Sequence, residues 1–232
     1  MTQKDILYED NHIIIVNKNN NQIVQGDKTG DKPLVDLVKD FLKEKYNKPG
    51  NVFCGVVHRL DRPVSGAVLF AKTSKALSRL NQMFKDKDIK KTYLAIVKNK
   101  PPKLQDTLTH YIFRNTKQNK SYALDNKKFN TKIAILDYKL ISSTEKYFLL
   151  EINLKTGRHH QIRAQLAKIG CPIRGDKKYG FKRSNKNYGI DLHAFKISFY
   201  HPVSGNFISV KAPLPNDILW NEITKNIYSD DL

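Results

Sequence analysis

Val57-His58-Arg59-Leu60-Asp61-Arg62-Pro63-Val64-Ser65-Gly66-Ala67-Val68-Leu69-Phe70-Ala71-Lys72 is the stretch against which the rest of the chain is read. An apolar run at Val56-Val57 breaks at a charged turn and resumes at 67–70 with the composition of a buried strand. Pro63 and Ser65-Gly66 are turn formers. Between the runs, His58, Arg59, Asp61 and Arg62 place four ionisable groups in five positions. Asp61 is a lone carboxylate among cations at the mouth of a strand. Nearby positive charge favours its ionised form, which suits a nucleophile or a general base. An ordinary turn accounts for the same residues, with Asp61 capping backbone amides or pairing with Arg62, because structural ion pairs perturb carboxylates too. The chemistry of the stretch alone leaves both readings open.

Upstream, apolar runs at 6–8 and 13–16 are split by Glu9-Asp10-Asn11 and read as two strands around a turn. Residues 18–22 read as a polar loop. From 34 to 46, Leu34, Leu37, Val38, Phe41 and Leu42 recur at helical spacing as a core-packing stripe, and Pro49-Gly50 ends the segment. Downstream, Thr73 or Ser74 caps a helix reaching about residue 84. Residues 92–97 form a strand with Tyr93, Ala95 and Val97 on one face. Residues 98–130 read as irregular and basic around a strand-like 109–113, either an insertion facing a polyanionic partner or a solvated loop. Residues 131–141 and 147–154 are β-rich and suit an antiparallel pair. Thr156-Gly157-Arg158 reads as a turn before a helix over 159–169, in which His159 and Arg163 stand at i and i+4. Residues 195–199 and 207–210 flank His201-Pro202-Val203-Ser204-Gly205 as a hairpin, and 216–220 starts a short terminal helix. Many strands with three clear helices make an α+β chain.

The length of 232 residues suits one domain over 1–232, with room for two lobes. There are 41 Lys and Arg against 22 Asp and Glu, so the net charge is +19, which favours a polyanionic partner such as nucleic acid. A Lys- and Asn-rich bias that merely solvates the surface is the competing explanation. Two cysteines, Cys54 and Cys171, imply no disulfide framework. The first residues lack a signal-peptide pattern, and no apolar run reaches the roughly 18 residues of a membrane span. A cytoplasmic location with reduced thiols is expected. No zinc-finger spacing, His-Glu-x-x-His, Walker loop or Gly-x-Gly-x-x-Gly occurs, so neither a metal nor a cofactor is expected.

The opening stretch resembles the His-Arg-Leu-Asp-x-x-Thr-Ser-Gly motif of the RluA-type pseudouridine synthases. Further similar segments follow in the family's order. Lys91-Thr92-Tyr93-Leu94-Ala95-Ile96-Val97 resembles its tyrosine strand, and Thr156-Gly157-Arg158-His159-His160-Gln161-Ile162-Arg163 its Thr-Gly-Arg-x-His-Gln-Ile-Arg motif. Pro172-Ile173-Arg174-Gly175-Asp176 with Tyr179-Gly180, then Leu192-His193-Ala194 and His201-Pro202, complete the set. Val64 departs from it, standing where many relatives have threonine. The resemblance implies a mixed, largely antiparallel sheet with flanking helices and a central RNA cleft, in a monomer without an additional N-terminal RNA-binding domain.

It also implies conversion of uridine to pseudouridine in a structured ribosomal or transfer RNA. The N1–C1′ bond breaks, the uracil turns over while held, and C5 bonds to C1′, with no redox or energy cofactor. Asp61 matches the catalytic carboxylate, Tyr93 the tyrosine stacked on the target uracil, and Arg163 the arginine paired with that carboxylate. Arg59 is a candidate either to fill the gap left by an everted base, since an enzyme acting on a base must unstack it, or to contact phosphate. Arg62, His58 and Arg158 complete the expected RNA-binding set, although a turn-stabilising role suits His58 better than proton transfer. His159, His160, His193 and Cys54 are expected to be structural. The rival expectation is a catalytically idle RNA-binding or ribosome-assembly protein on the same scaffold. A hydrolase with an aspartyl nucleophile has no motif behind it.

Overall fold

β2 (Ile13–Lys18) explains why the chain begins as it does. Ile13, Ile14, Ile15 and Val16 have no exposed surface, so this strand is buried on both faces and reads as a continuous apolar run. It pairs antiparallel with β1 (Ile6–Glu9) and with β4 (Ser65–Ala71), in a register that sets Ile15 opposite Leu69 and Lys18 opposite Gly66. The Asp10 carboxylate accepts the His12 and Ile13 amides and makes the turn from β1 into β2. The structure, a computed structural model, describes residues 1–227.

The described chain divides into two compact units, Met1–Lys91 with Ala194–Pro213, and Thr92–His193 with residues 214–227. In the first unit the strand order is β1-β2-β4-β10, where β10 spans Leu192–Tyr200. The short β3 (Gly55–Val56) pairs with β4, and β11 (Phe207–Lys211) pairs with β10. Ile13, Ile15, Leu69, Ile197 and Phe199 join Ala76 and Leu80 of α2 (Ser74–Asp86) in one core cluster. Thr73 caps α2 by accepting the Ala76 amide, as its sequence signal predicts. The 34–46 stripe forms α1 (Leu34–Lys45), burying Leu34, Val35, Val38 and Leu42. His201 closes the β10–β11 hairpin, its Nδ1 accepting the amides of Val203 and Ser204 at 3.2 and 2.9 Å.

The second unit orders its strands β5-β9-β8-β6-β7, with β5 at Lys90–Val97, β6 at Gln105–Asn115, β7 at Lys120–Leu124, β8 at Thr131–Ser143 and β9 at Phe148–Leu154. The pairings β5–β9, β9–β8, β8–β6 and β6–β7 are all antiparallel. α3 (Gln161–Lys168) covers one face, and α4 (Ile218–Thr224), capped by Asp217, buries Trp220. The expected α+β class, largely antiparallel, describes the protein. Among the described residues no helix is long and apolar enough to cross a membrane, and Cys54 and Cys171 are free and buried.

Three expectations need correction. Residues 98–130 are not irregular: β6 and β7 form a regular hairpin, hidden in the sequence by the polar run that supplies its turn, Asn115 to Lys120. The helix expected from His159 starts at Gln161, because His160 takes a left-handed conformation (φ 52°) and breaks the ladder; the i, i+4 relation of His159 and Arg163 is therefore lost. Finally, Lys18 does not open a polar loop. It ends β2 and has no exposed surface.

Candidate active site

In the first unit, the turn carrying Asp61 is shaped by its backbone. The Asp61 carbonyl accepts the Val64 amide at 3.0 Å, closing a four-residue turn with Pro63 inside it. Buried Lys18 sits beneath. Its ammonium donates to the carbonyls of Val64 at 2.6 Å, Asn19 at 2.9 Å and Arg62 at 3.1 Å, matching all three of its N–H groups. The Arg62 carbonyl also accepts the Asn21 amide at 2.9 Å. Burial pushes the Lys18 ammonium down to about 7, while the Asp61 carboxylate pulls it upward. A buried cation therefore lies under the candidate carboxylate and pins the loop that bears it.

Gly66 then lets the chain enter β4. Its φ is +114°, and a Cβ there would lie 2.4 Å from the Ala194 carbonyl oxygen and 2.6 Å from the Ala194 nitrogen. Only glycine permits this approach to β10. Val64 is buried at 2% exposure, which suits an apolar side chain where many relatives have a hydroxyl.

The neighbouring expected residues divide by environment. His58 accepts the Leu69 amide through Nε2 at 3.0 Å and stacks on Phe84. Burial, aided by Lys91, holds the ring down at about 3, so it is neutral at physiological pH. Arg62 donates to Thr29 at 2.9 Å and pairs with Asp31, both on the exposed 27–31 loop. Arg59 is exposed.

In the second unit, Tyr93 lies on β5 opposite Ile152 of β9 and is 7% exposed. Arg163 is 5% exposed on α3. Its Nε and Nη2 donate to the two oxygens of Asp176, at 2.7 and 2.9 Å, and its guanidinium carbon lies 5.0 Å from the Tyr179 ring centroid. The two-pronged pair fixes the guanidinium plane, and the ring supports one face. Tyr179 is itself held: its hydroxyl accepts the Ser121 amide at 2.8 Å and lies 2.9 Å from His160 Nδ1. Burial and then the Arg163 charge push His160 down to about 2, consistent with a neutral ring. His159 stacks on His160 at 3.8 Å, with its Nδ1 2.8 Å from Ser121 Oγ.

The Thr156-Gly157-Arg158 turn feeds α3 from β9. Thr156 Oγ1 accepts the Ile135 amide at 2.8 Å and donates to Gln161 Oε1 at 2.8 Å, and Gln161 Oε1 also accepts the Arg158 amide. The half-buried Arg158 donates from Nε to the Ile133 carbonyl at 2.9 Å. Among the described residues no group of three or more His, Cys, Asp or Glu could hold a metal ion.

Asp61, Arg59, Arg62 and His58 thus belong to the first unit, and Tyr93, Arg158 and Arg163 to the second. Sequence reasoning left Lys18, Asp176 and Tyr179 without roles. Strand parity carried a signal for Lys18: on β2 it shares a face with Ile14 and Val16, both buried. Asp176 and Tyr179 lay inside a matched segment, but no local pattern there names Arg163 as their partner.

A family model described as RNA pseudouridylate synthase matches residues 12–168. The chain is 35% identical over 223 residues to ribosomal large subunit pseudouridine synthase C of Buchnera aphidicola, covering 91% of this chain and 68% of that one. It is 37% identical over 218 residues to the protein of the same name from Rickettsia bellii, covering 93% and 70%. An uncharacterized RNA pseudouridine synthase of Synechocystis is 34% identical over 214 residues, covering 91% and 65%. The chain therefore spans about two thirds of the length of these relatives. Among solved structures, human RNA pseudouridylate synthase domain containing 4 shares the fold with a TM-score of 0.77 at 21% identity, covering 92% of this chain and 89% of that one.

Proposed function

The chain belongs to the RNA pseudouridylate synthase family, enzymes that isomerise uridine within an RNA chain, and from that premise we propose that it converts uridines of ribosomal RNA to pseudouridine with Asp61 as the catalytic carboxylate. The observation that carries this reading is the match over residues 12–168, which contains Asp61, Tyr93 and Arg163 together. The large-subunit names of two relatives support ribosomal RNA over transfer RNA as the substrate.

The chemistry asks three things of these residues. Whether the carboxylate adds to C1′, adds to C6 or removes the C2′ proton, it must be ionised where an RNA sugar excludes water. Arg163 matches the family's arginine that pairs with the catalytic carboxylate, and Asp176 and Tyr179 keep its guanidinium oriented. Tyr93 stacks on the detached uracil and keeps it in place while it turns, after which the C5 proton leaves and N1 gains one. Lys18 keeps the Asp61 turn in a single conformation, so the carboxylate is preorganised before RNA arrives. Arg59 takes the place of the everted nucleotide, because a base acted on inside a folded RNA must first leave its stack.

The test is a map of pseudouridine in total RNA from a strain lacking this protein. At least one ribosomal site loses its modification, wild-type protein restores it, and Asp61→Ala does not. Hydrogen release from C5 of uridine in a ribosomal transcript falls in parallel. A strain that loses no site, or full restoration by Asp61→Ala, would leave an idle RNA-binding protein.

A further inference from the structure

β6 and its neighbours have two unlike faces. Ile112 and Ala134 point toward α3 and pack with Ala164 and Tyr179. On the opposite face, the outward residues of β6 change character along the strand. Gln105, Thr107 and Thr109 are polar, as an exposed antiparallel face should be, and Tyr111 and Phe113 are aromatic. Their cross-strand neighbours continue the change: Phe113 lies opposite Tyr122, and Tyr111 opposite both Leu124 and Ile133. Phe113 is 36%, Tyr122 37% and Ile133 42% exposed. These residues form a contiguous apolar patch in water at the edge of the second unit's sheet, and such patches mark binding surfaces.

The patch is rigid and cationic at its margin. The Tyr122 hydroxyl donates to Gln118 at 2.6 Å, and the Lys120 ammonium lies 5.3 Å from the Tyr122 ring centroid. Arg158 reaches the patch through its bond to the Ile133 carbonyl. Residues 98–133 carry nine Lys and Arg against two Asp. Fixed aromatic rings among dispersed cations match an unpaired nucleic-acid strand, whose bases stack on the rings while its phosphates meet the charges. A second copy of the chain, also at +19, would bring like charge to this face.

We propose that the outward face of β6, β7 and β8, centred on Phe113 and Tyr122, is a stacking platform for unpaired nucleotides of the RNA substrate. The proposal rests on the RNA-modifying reading above and deepens it, because it assigns the 98–130 segment to substrate binding.

Fluorescence anisotropy with a labelled twelve-nucleotide oligouridylate tests it on the full chain. Phe113→Ala and Tyr122→Ala each weaken binding about tenfold, within the range for loss of one stacked base. Tyr122→Phe retains near-wild-type affinity, since the ring and not the hydroxyl is the contact. With a ribosomal transcript as substrate, the same losses appear in KM. A measurement on the unaltered protein guards against variants that fail to fold: 4-thiouridine in the transcript crosslinks to the peptide containing Phe113 and Tyr122. The proposal is overturned if both alanine variants bind like wild type, if Tyr122→Phe loses as much as Tyr122→Ala, or if the crosslinks fall elsewhere. Sedimentation showing a dimer that protects this face, or capture of an acidic protein there in place of RNA, overturns it as well. If oligouridylate binding behaves as stated but no pseudouridine is lost from the deletion strain, the platform stands and the enzymatic reading fails.

Discussion

A lysine with no exposed surface is tolerated when every N–H has an acceptor or when its charge is given up. Lys18 sits between these solutions, with three carbonyl acceptors and an ammonium pushed down to about 7. Lys18→Met would leave the buried Val64 carbonyl short of its donor, at about 1–3 kcal/mol for a buried unsatisfied group, while the Arg62 carbonyl keeps the Asn21 amide and the Asn19 carbonyl belongs to an exposed residue. Its melting temperature should fall, and kcat for uridine isomerisation should drop on the order of 10²-fold as the Asp61 turn loosens, the scale of a misplacement of about 1 Å. The pH dependence has a definite sign. The folded-state value near 7 lies below the unfolded 10.5, so between those limits the unfolded chain holds a proton that the folded chain lacks. The Lys18 contribution therefore raises stability as pH rises through that window, by at most about 1.4 kcal/mol per pH unit. Denaturant titrations from pH 7 to 10 should show that slope in wild type and lose it in Lys18→Met. For Asp176→Asn the guanidinium of Arg163 loses a buried, two-pronged carboxylate partner, with an expected loss of up to about 3–5 kcal/mol in the same titrations.

At the scale of elements, β4 and β10 meet where Gly66 passes the Ala194 backbone, and no flexible side chain can move aside. Gly66→Ala should cost more than about 4 kcal/mol, or prevent folding, by calorimetry. Gly170 provides the contrast: its φ is +78°, yet nothing lies within 4 Å of a built Cβ. Gly170→Ala should cost only the left-handed backbone penalty, about 1–2 kcal/mol. The sequence made most elements readable. The Leu34–Lys45 stripe, the Thr73 cap and the Phe148–Leu154 strand follow from local periodicity and cap chemistry. The hairpin of β6 and β7 escaped because one face alternates between hidden Leu108, His110 and Ile112 and an outward face that is part polar and part aromatic, which blurs the period. The start of α3 escaped because the left-handed turn at His160 depends on Tyr179 and Ser121, neither adjacent in sequence.

For the whole molecule, charge sets both stability and encounter with RNA. Burial alone would push the Glu9 carboxyl up, but hydrogen bonds from Lys45, Lys72 and Tyr46 offset it and hold the group at about 2. Its folded value lies below the unfolded 4.5, so its stabilising contribution is complete above 4.5 and is lost as pH falls toward 2. Acid titration of Glu9→Gln should show a shallower loss over that interval than wild type. With a net charge of +19, RNA affinity should fall linearly on logarithmic axes with added salt, each phosphate contact on a single strand contributing about 0.7 to the slope. Arg158→Ala should reduce the slope by about that amount if its half-buried guanidinium meets a phosphate.

The sequence by itself determined the α+β class, the family and the carboxylate to suspect, because strand and helix periods are local and the motif around Asp61 is contiguous. Tertiary structure alone decided what holds that motif in shape. The carbonyls around the Lys18 ammonium include two that lie 44 and 46 positions along the chain, and the carboxylate that orients Arg163 stands 13 positions away, beyond its helix. Which buried donor meets which acceptor depends on how strands are brought side by side, and a linear pattern of apolar and polar residues does not encode that pairing.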